Sequence, residues 1–160
     1  MTGGPEEYRP CVAMLLFNRD GRVLVAERID LPEAAWQLPQ GGVDEGESAR
    51  TAARRELNEE IGTDDVAFLS ETPGWIAYDL PCHIAGVPWR GRYRGQRVRL
   101  VAFRFTGTDA DIDLDTDKPE FRTWKWIELE ELPGLIVAFK RPLYEAAVRE
   151  FGALRDSLRA

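Results

Sequence analysis

Hydrophobic positions along the chain follow two periods, one of strands and one of helices. Cys11–Phe17 is an unbroken apolar run of strand length, and Val23 and Val25 mark one side of a second strand within Arg22–Ile29. Between them, Asn18-Arg19-Asp20-Gly21 has the composition of a hairpin turn. A short segment, Trp36–Leu38, precedes Pro39-Gln40-Gly41-Gly42, which reads as a turn. From Glu47 to Ile61 the period becomes helical: Ala49, Ala53, Leu57 and Ile61 form one buried stripe, and Gly62 can take the left-handed position that ends a helix. Val66–Ser70, Trp75–Asp79, Gln96–Phe105 and the shorter Trp124–Ile127 read as strands. A second amphipathic helix starts at Pro142, with Leu143, Ala146, Ala147, Phe151 and Leu154 on one face. Asp109–Asp117 places aspartate at every second position with Ile112 and Leu114 alternating, the pattern of an acidic edge strand. The order of elements predicts an α/β fold, a mixed sheet packed between helices. With no internal repeat, linker or low-complexity tract, the expectation is one domain over residues 1–160.

Composition narrows the chemistry. The chain carries a net charge of −7, so the molecule as a whole repels nucleic acid and membrane surfaces, and duplex DNA and membranes are not expected partners. A polyanionic substrate would need local positive patches or metal ions. Cys11 and Cys82 lie far apart without a CxxC pattern, which suits buried thiols in a reducing compartment. The N-terminal stretch is polar and no apolar run approaches spanning length, so the expectation is a cytoplasmic, soluble protein, and a monomer is expected. The single histidine, His83, excludes a multi-histidine metal site, and its expected role is structural. Any catalytic metal should therefore have oxygen ligands, which means Mg²⁺ or Mn²⁺.

Glu56, Glu59 and Glu60 stand at i, i+3 and i+4 and share one helix face. Three carboxylates that close repel one another, so the arrangement calls for a hard cation. Most glutamate-rich helices are simply solvated faces. Here, however, the surrounding spacing runs Gly41, five residues, Glu47, seven residues, Arg55-Glu56-Leu57, one residue, Glu59-Glu60, one residue, Gly62. A chance match falls below about one in ten million per starting position. The pattern resembles the signature of the Nudix hydrolases, which cleave nucleoside diphosphates linked to another moiety. Its one departure is Thr63, where an aliphatic residue is usual. The resemblance implies a Nudix fold in which Glu56, Glu59 and Glu60, with Gly41, form the metal site, and in which Glu47, Arg55 and Gly62 build the motif's structure. Arg55 lies about two helical turns from Glu47 and can reach back to tie loop to helix. Metals held by the glutamates would bridge phosphate oxygens and activate water.

Tyr8-Arg9-Pro10, Trp36-Gln37-Leu38-Pro39-Gln40-Gly41-Gly42, Pro119-Glu120-Phe121, Trp124-Lys125-Trp126 and Val137-Ala138-Phe139-Lys140-Arg141 are similar to the bacterial branch that removes phosphates from RNA 5′ ends. That branch overlaps with the dinucleoside polyphosphate hydrolases. The resemblance implies that Glu120 is a fourth acidic residue, contributed by a loop, that binds metal or orients water. Phe139 would stack on a nucleobase, with Lys140 and Arg28 flanking it or the phosphates, and Val137 and Arg9 nearby. Between Trp89 and Arg99 five arginines stand without an acid, so Arg90, Arg92 and Arg94 form a candidate phosphate or RNA patch, while Arg97 and Arg99 read as the outer face of a strand. The implied reaction is metal-dependent hydrolysis of the 5′-terminal phosphoanhydride of di- or triphosphorylated RNA, leaving a 5′-monophosphate. Glu60 or Glu120 would take the proton. A diadenosine polyphosphate hydrolase shares the chemistry and the site. A non-catalytic nucleotide-binding module of the same fold would be expected to lose motif glutamates, and all are kept.

Overall fold

The structure is a computed structural model that describes residues 7–29, 36–79, 93–135 and 140–159. Its strands are β1 (Tyr8–Phe17), β2 (Val23–Arg28), β3 (Trp36–Gln37), β4 (Gln40–Gly42), β5 (Val66–Glu71), β6 (Ile76–Asp79), β7 (Gly95–Phe105) and β8 (Phe121–Ile127). Its helices are α1 (Ala49–Ile61), the short α2 (Leu132–Leu135) and α3 (Arg141–Arg159). The strands join in one mixed sheet with the path β3-β2-β1-β7-β5, to which β4 adds on β1, β6 on β7 and β8 on β2. β1 and β7 pair in parallel along their length, from Tyr8↔Gly95 to Phe17↔Arg104, and the other pairings are antiparallel.

β1 explains the layering. Every residue from Cys11 to Phe17 is buried, which is why this strand reads as a continuous apolar run instead of an alternating one. Cys11, Ala13, Leu15 and Phe17 point into a core closed by Leu143, Tyr144, Ala147 and Phe151 of α3. Val12, Met14 and Leu16 point the other way, into a core closed by Ala52, Ala53, Leu57 and Ile61 of α1. The fold is thus a sheet between helices, with a hydrophobic core on each face.

Local chemistry sets the joints. Asn18 Oδ1 accepts from the N–H groups of Asp20 and Arg22, and Gly21 takes φ 73°, closing the β1–β2 hairpin. Ser48 caps α1 by accepting from the Thr51 N–H at 3.1 Å, and Gly62 ends the helix at φ 75° with its N–H on the Asn58 carbonyl. No helix among the described residues is long and apolar enough to cross a membrane.

Three expectations change. Gln40–Gly42 is a strand paired with Ala13–Cys11, not a bare turn. The last strand is longer than expected and begins at Phe121. Asp109–Asp117 is not an edge strand: Asp109–Asp111 is a single 3-10 turn, and the chain is irregular from there to Glu120. The aspartates are the cause. Asp111 accepts from the Thr108 N–H and Asp113 from the Asp115 N–H, so local side-chain bonds replace a ladder. Ile112 and Leu114 still pack, against the core under α1.

Candidate active site

Arg55 is the hub of the α1 face. Its Nε and Nη2 donate to Glu47 Oε2 and Oε1 at 2.9 and 2.8 Å, and Nη2 also donates to the Gly42 carbonyl at 3.0 Å. Nη1 reaches Glu56 at 2.8 Å and lies 3.6 Å from Glu59. One guanidinium therefore ties the loop before α1, strand β4 and two motif glutamates into a unit, as a rigid planar fork can. The fork holds the Glu47 carboxyl at about 2, well below its ordinary value, and raises Arg55's own pKa.

The three glutamates have different surroundings. Glu59 is 59% exposed. Glu56 is partly buried and pressed against β4: a methyl group at Gly41 would lie 2.1–2.3 Å from the atoms of its carboxyl end. Glu60 is 4% exposed, and neither of its carboxyl oxygens has a hydrogen-bond partner among the described residues. Burial first, then the neighbouring Glu120 carboxyl and Glu56, push the Glu60 pKa well above the usual range. Burial also raises Glu56, against the pull of Arg55. Glu120 arrives from the irregular segment before β8, where its carbonyl accepts from the Ile29 N–H at 2.9 Å. Among the described residues the carboxylates face shared space without closing into a ready-made group of three ligands.

Two cavities meet at Glu56, Glu59 and Glu120. One, of about 360 Å³, is lined by Arg9, Arg28 and Lys140 together with Gln40, Gln96 and Gly41. Burial, aided by Arg28, lowers Lys140 to about 8. Gln40 Nε2 donates to Gln96 Oε1 at 2.8 Å, and Tyr78 Oη donates to the same oxygen, so the polar floor is held in place. Cys11 lies beneath as a free buried thiol, raised to about 11 by burial. The other cavity, of about 570 Å³, adds Glu60, Asn58, Thr116 and Lys118 to the shared carboxylates.

Of the residues singled out from sequence, the structure brings together Glu56, Glu59, Glu60, Glu120, Gly41, Arg9, Arg28 and Lys140, with Glu47, Arg55 and Gly62 supporting them. Val137, Phe139, Arg90 and Arg92 lie outside the described residues, as do Cys82 and His83. Arg94 is engaged elsewhere: it pairs with Asp79 at 2.7 Å and Glu7 at 3.5 Å, acids that tertiary structure supplies to a run that has none of its own. Arg97 and Arg99 do lie on β7, stacked over Trp75 at 4.2 and 4.8 Å. Sequence reading missed Gln96, Asn58, Thr116 and Lys118 as cavity residues. It also missed the buried Tyr144 hydroxyl, which accepts from the Leu38 N–H at 2.7 Å and anchors the entry to β4. Of these only Asn58 carried a signal, since it lies within the motif segment.

Comparison with known proteins identifies the family. The family description "NUDIX domain" matches residues 7–147. The chain is similar to an RNA pyrophosphohydrolase of Rhodospirillum rubrum, 54% identical over 143 residues, covering 89% of this chain and 86% of that protein. It is likewise similar to an RNA pyrophosphohydrolase of Sphingopyxis alaskensis, 50% identical over 149 residues, 92% and 94% covered. Among solved structures, a C. elegans Ap4A hydrolase in a binary complex superposes with a TM-score of 0.63 at 19% identity, over 92% of this chain and 98% of that one. The MutT protein of Methanosarcina mazei Go1 gives 0.61 at 24% identity, over 92% and 98%. At those identities the structural likeness speaks for the fold alone. With a family match across most of its length and relatives near half identical throughout, the chain belongs to the NUDIX family.

Proposed function

We propose that this protein hydrolyses the 5′-terminal phosphoanhydride of di- or triphosphorylated RNA and leaves a 5′-monophosphate end. The observation that carries the reading is the meeting of a cationic cavity and an acidic one at Glu56, Glu59 and Glu120. It joins a place for a phosphorylated nucleoside to a place for phosphoanhydride chemistry. The near half identity to RNA pyrophosphohydrolases over most of the chain supports RNA as the substrate.

The residues fit a divalent cation. The ligand atoms on offer are all oxygens, and the two carboxyl oxygens of Glu60 are buried and lack hydrogen-bond partners among the described residues, a costly state that a cation or a proton relieves. Glu56, Glu59, Glu60 and Glu120 would hold it beside the Gly41 backbone, and Mg²⁺ or Mn²⁺ suits a carboxylate set. When bound, such an ion neutralises charge on the phosphates and lowers the pKa of water.

The rest of the work falls to the chain. Arg9, Arg28 and Lys140 bind the nucleoside end and its adjacent phosphate, drawing a polyanion into a protein of net charge −7. Arg55 holds Glu56 and limits the mutual repulsion of the glutamates. A water oxygen bonds to phosphorus as the bridging oxygen leaves with the other product, and Glu60 or Glu120 takes the water's proton. The test is a direct comparison: purified protein and Mg²⁺ with 5′-triphosphorylated RNA and, separately, with diadenosine tetraphosphate. A higher kcat/KM on RNA is expected, and a clear preference for diadenosine tetraphosphate would overturn the substrate.

A further inference from the structure

The irregular segment between the 3-10 turn and β8 is a strap fastened at both ends. At one end the Asp113 N–H donates to the Ile61 carbonyl at 2.8 Å, and the contact is so close that a methyl group at Gly62 would lie 2.5 Å from the Asp113 oxygen. At the other end the Glu120 carbonyl receives the Ile29 N–H at 2.9 Å. Between these points the strap crosses the open side of α1 and contributes Thr116, Asp117 and Lys118 to the larger cavity.

Lys118 is the only cation lining that cavity among the described residues, and it forms no hydrogen bond or ion pair there although Glu56, Glu59, Glu60, Glu120 and Asp117 line the same space. Thr116 Oγ1 is withdrawn from solvent and also lacks a partner among the described residues. Asn58 lies on α1 between Glu56 and Glu59 with an exposed amide. A spare ammonium, a spare hydroxyl and an amide thus converge on a space of about 570 Å³, ample for two phosphate groups. The nucleoside-side cations Arg9, Arg28 and Lys140 line the other cavity.

We propose that Lys118, assisted by Asn58 and Thr116, binds the two terminal phosphates of the substrate and holds them as inorganic pyrophosphate after cleavage. This rests on the reading of the substrate as an RNA 5′-polyphosphate. The lysine acts as a mobile point charge on a strap whose ends are fixed, so it can follow the phosphates without disturbing the glutamates. Its exposed position also suits a group that must leave to solvent.

The experiment is calorimetric binding of inorganic pyrophosphate, and separately of a 5′-monophosphorylated RNA, in magnesium buffer, to wild type, Lys118→Ala and Lys118→Arg. Pyrophosphate should bind about tenfold more weakly to Lys118→Ala, a change of about 1.4 kcal/mol, and recover to within about threefold in Lys118→Arg. Binding of the monophosphorylated RNA should be the same in all three. The assignment is overturned if wild type does not bind pyrophosphate, if Lys118→Ala binds it as well as wild type, or if both ligands weaken together. Inactivity of the wild type on triphosphorylated RNA would instead overturn the proposed substrate, while pyrophosphate binding would still report on Lys118.

Discussion

Gly41 and Glu56 approach each other so closely that no side chain fits between them: a methyl group on Gly41 would meet the Glu56 carboxyl carbon at 2.1 Å and an oxygen at 2.2 Å. Contacts that short force movement, and the backbone of β4 is held by its pairing with β1, so the carboxylate must be displaced. Gly41→Ala should lower kcat by about a hundredfold or more, because loss of roughly an ångström of alignment is costly in phosphoryl chemistry. Single-turnover rates on triphosphorylated RNA measure this, with circular dichroism confirming that the variant folds. An unchanged rate would show that Glu56 has no fixed position to lose.

Glu60 predicts opposite effects on stability and activity. A carboxyl group whose pKa is raised in the folded state contributes its stability below the unfolded value and loses it as pH rises toward and through the folded value, where the folded state must keep a proton or hold an uncompensated buried charge. In metal-free buffer at pH 7 to 8, Glu60→Gln should therefore unfold at higher urea than wild type, by roughly 1–3 kcal/mol. The same variant should lose about a hundredfold or more in hydrolysis with Mg²⁺. A variant less stable than wild type in metal-free buffer would contradict the burial argument, and one that remains fully active would contradict the metal assignment.

The Glu47–Arg55 fork acts in the other direction. Here the folded pKa is depressed, to about 2 from an ordinary 4.5, so the unfolded chain binds more protons between those values. The stability contributed by the fork is complete above about pH 4.5 and disappears as pH falls toward 2. Glu47→Gln should cost roughly 1–3 kcal/mol at pH 7, and the gap to wild type should narrow on acidification through that window. Urea midpoints from pH 7 to pH 3 provide the measurement. A gap that does not change with pH would exclude ionic stabilisation.

Lys140 ties binding to pH. With its pKa lowered to about 8 by burial and by Arg28, it is charged below pH 8 and neutral above. For wild type, kcat/KM should fall as pH rises through about 8, since this quantity reports the free enzyme. Lys140→Arg keeps its charge across that range and should remove or displace the fall. Identical profiles for the two proteins would place the titrating group elsewhere.

How much of this was legible in the sequence depends on how local the cause is. α1 was legible to within two residues, because its stripe and Gly62 are written within fourteen positions, while the Ser48 cap was not singled out. The Arg55–Glu47 tie followed from helix geometry in the same way. The aspartate run misled because the alternation of Ile112 and Leu114 mimics a strand, while the deciding fact is which N–H groups Asp111 and Asp113 take. Gln96 was invisible for a different reason: it joins the cavity only because β7 runs parallel to β1 and sets Arg9 opposite Gln96. Lys118 needed the tethers at both ends of its strap. Arg94 shows the reverse error, a basic run that looked free until Asp79 and Glu7 folded against it.

The two walls of the site belong to different layers. Glu56, Glu59 and Glu60 ride on α1, which closes the core on one face of the sheet, while Lys140 immediately precedes α3, which closes the core on the other. Under the proposed function, the carboxylates and Lys140 are thus carried by different helices. The α3 layer can drift toward a new nucleoside or polyphosphate without disturbing the carboxylates, and one chemistry can in this way serve a family of diverse substrates.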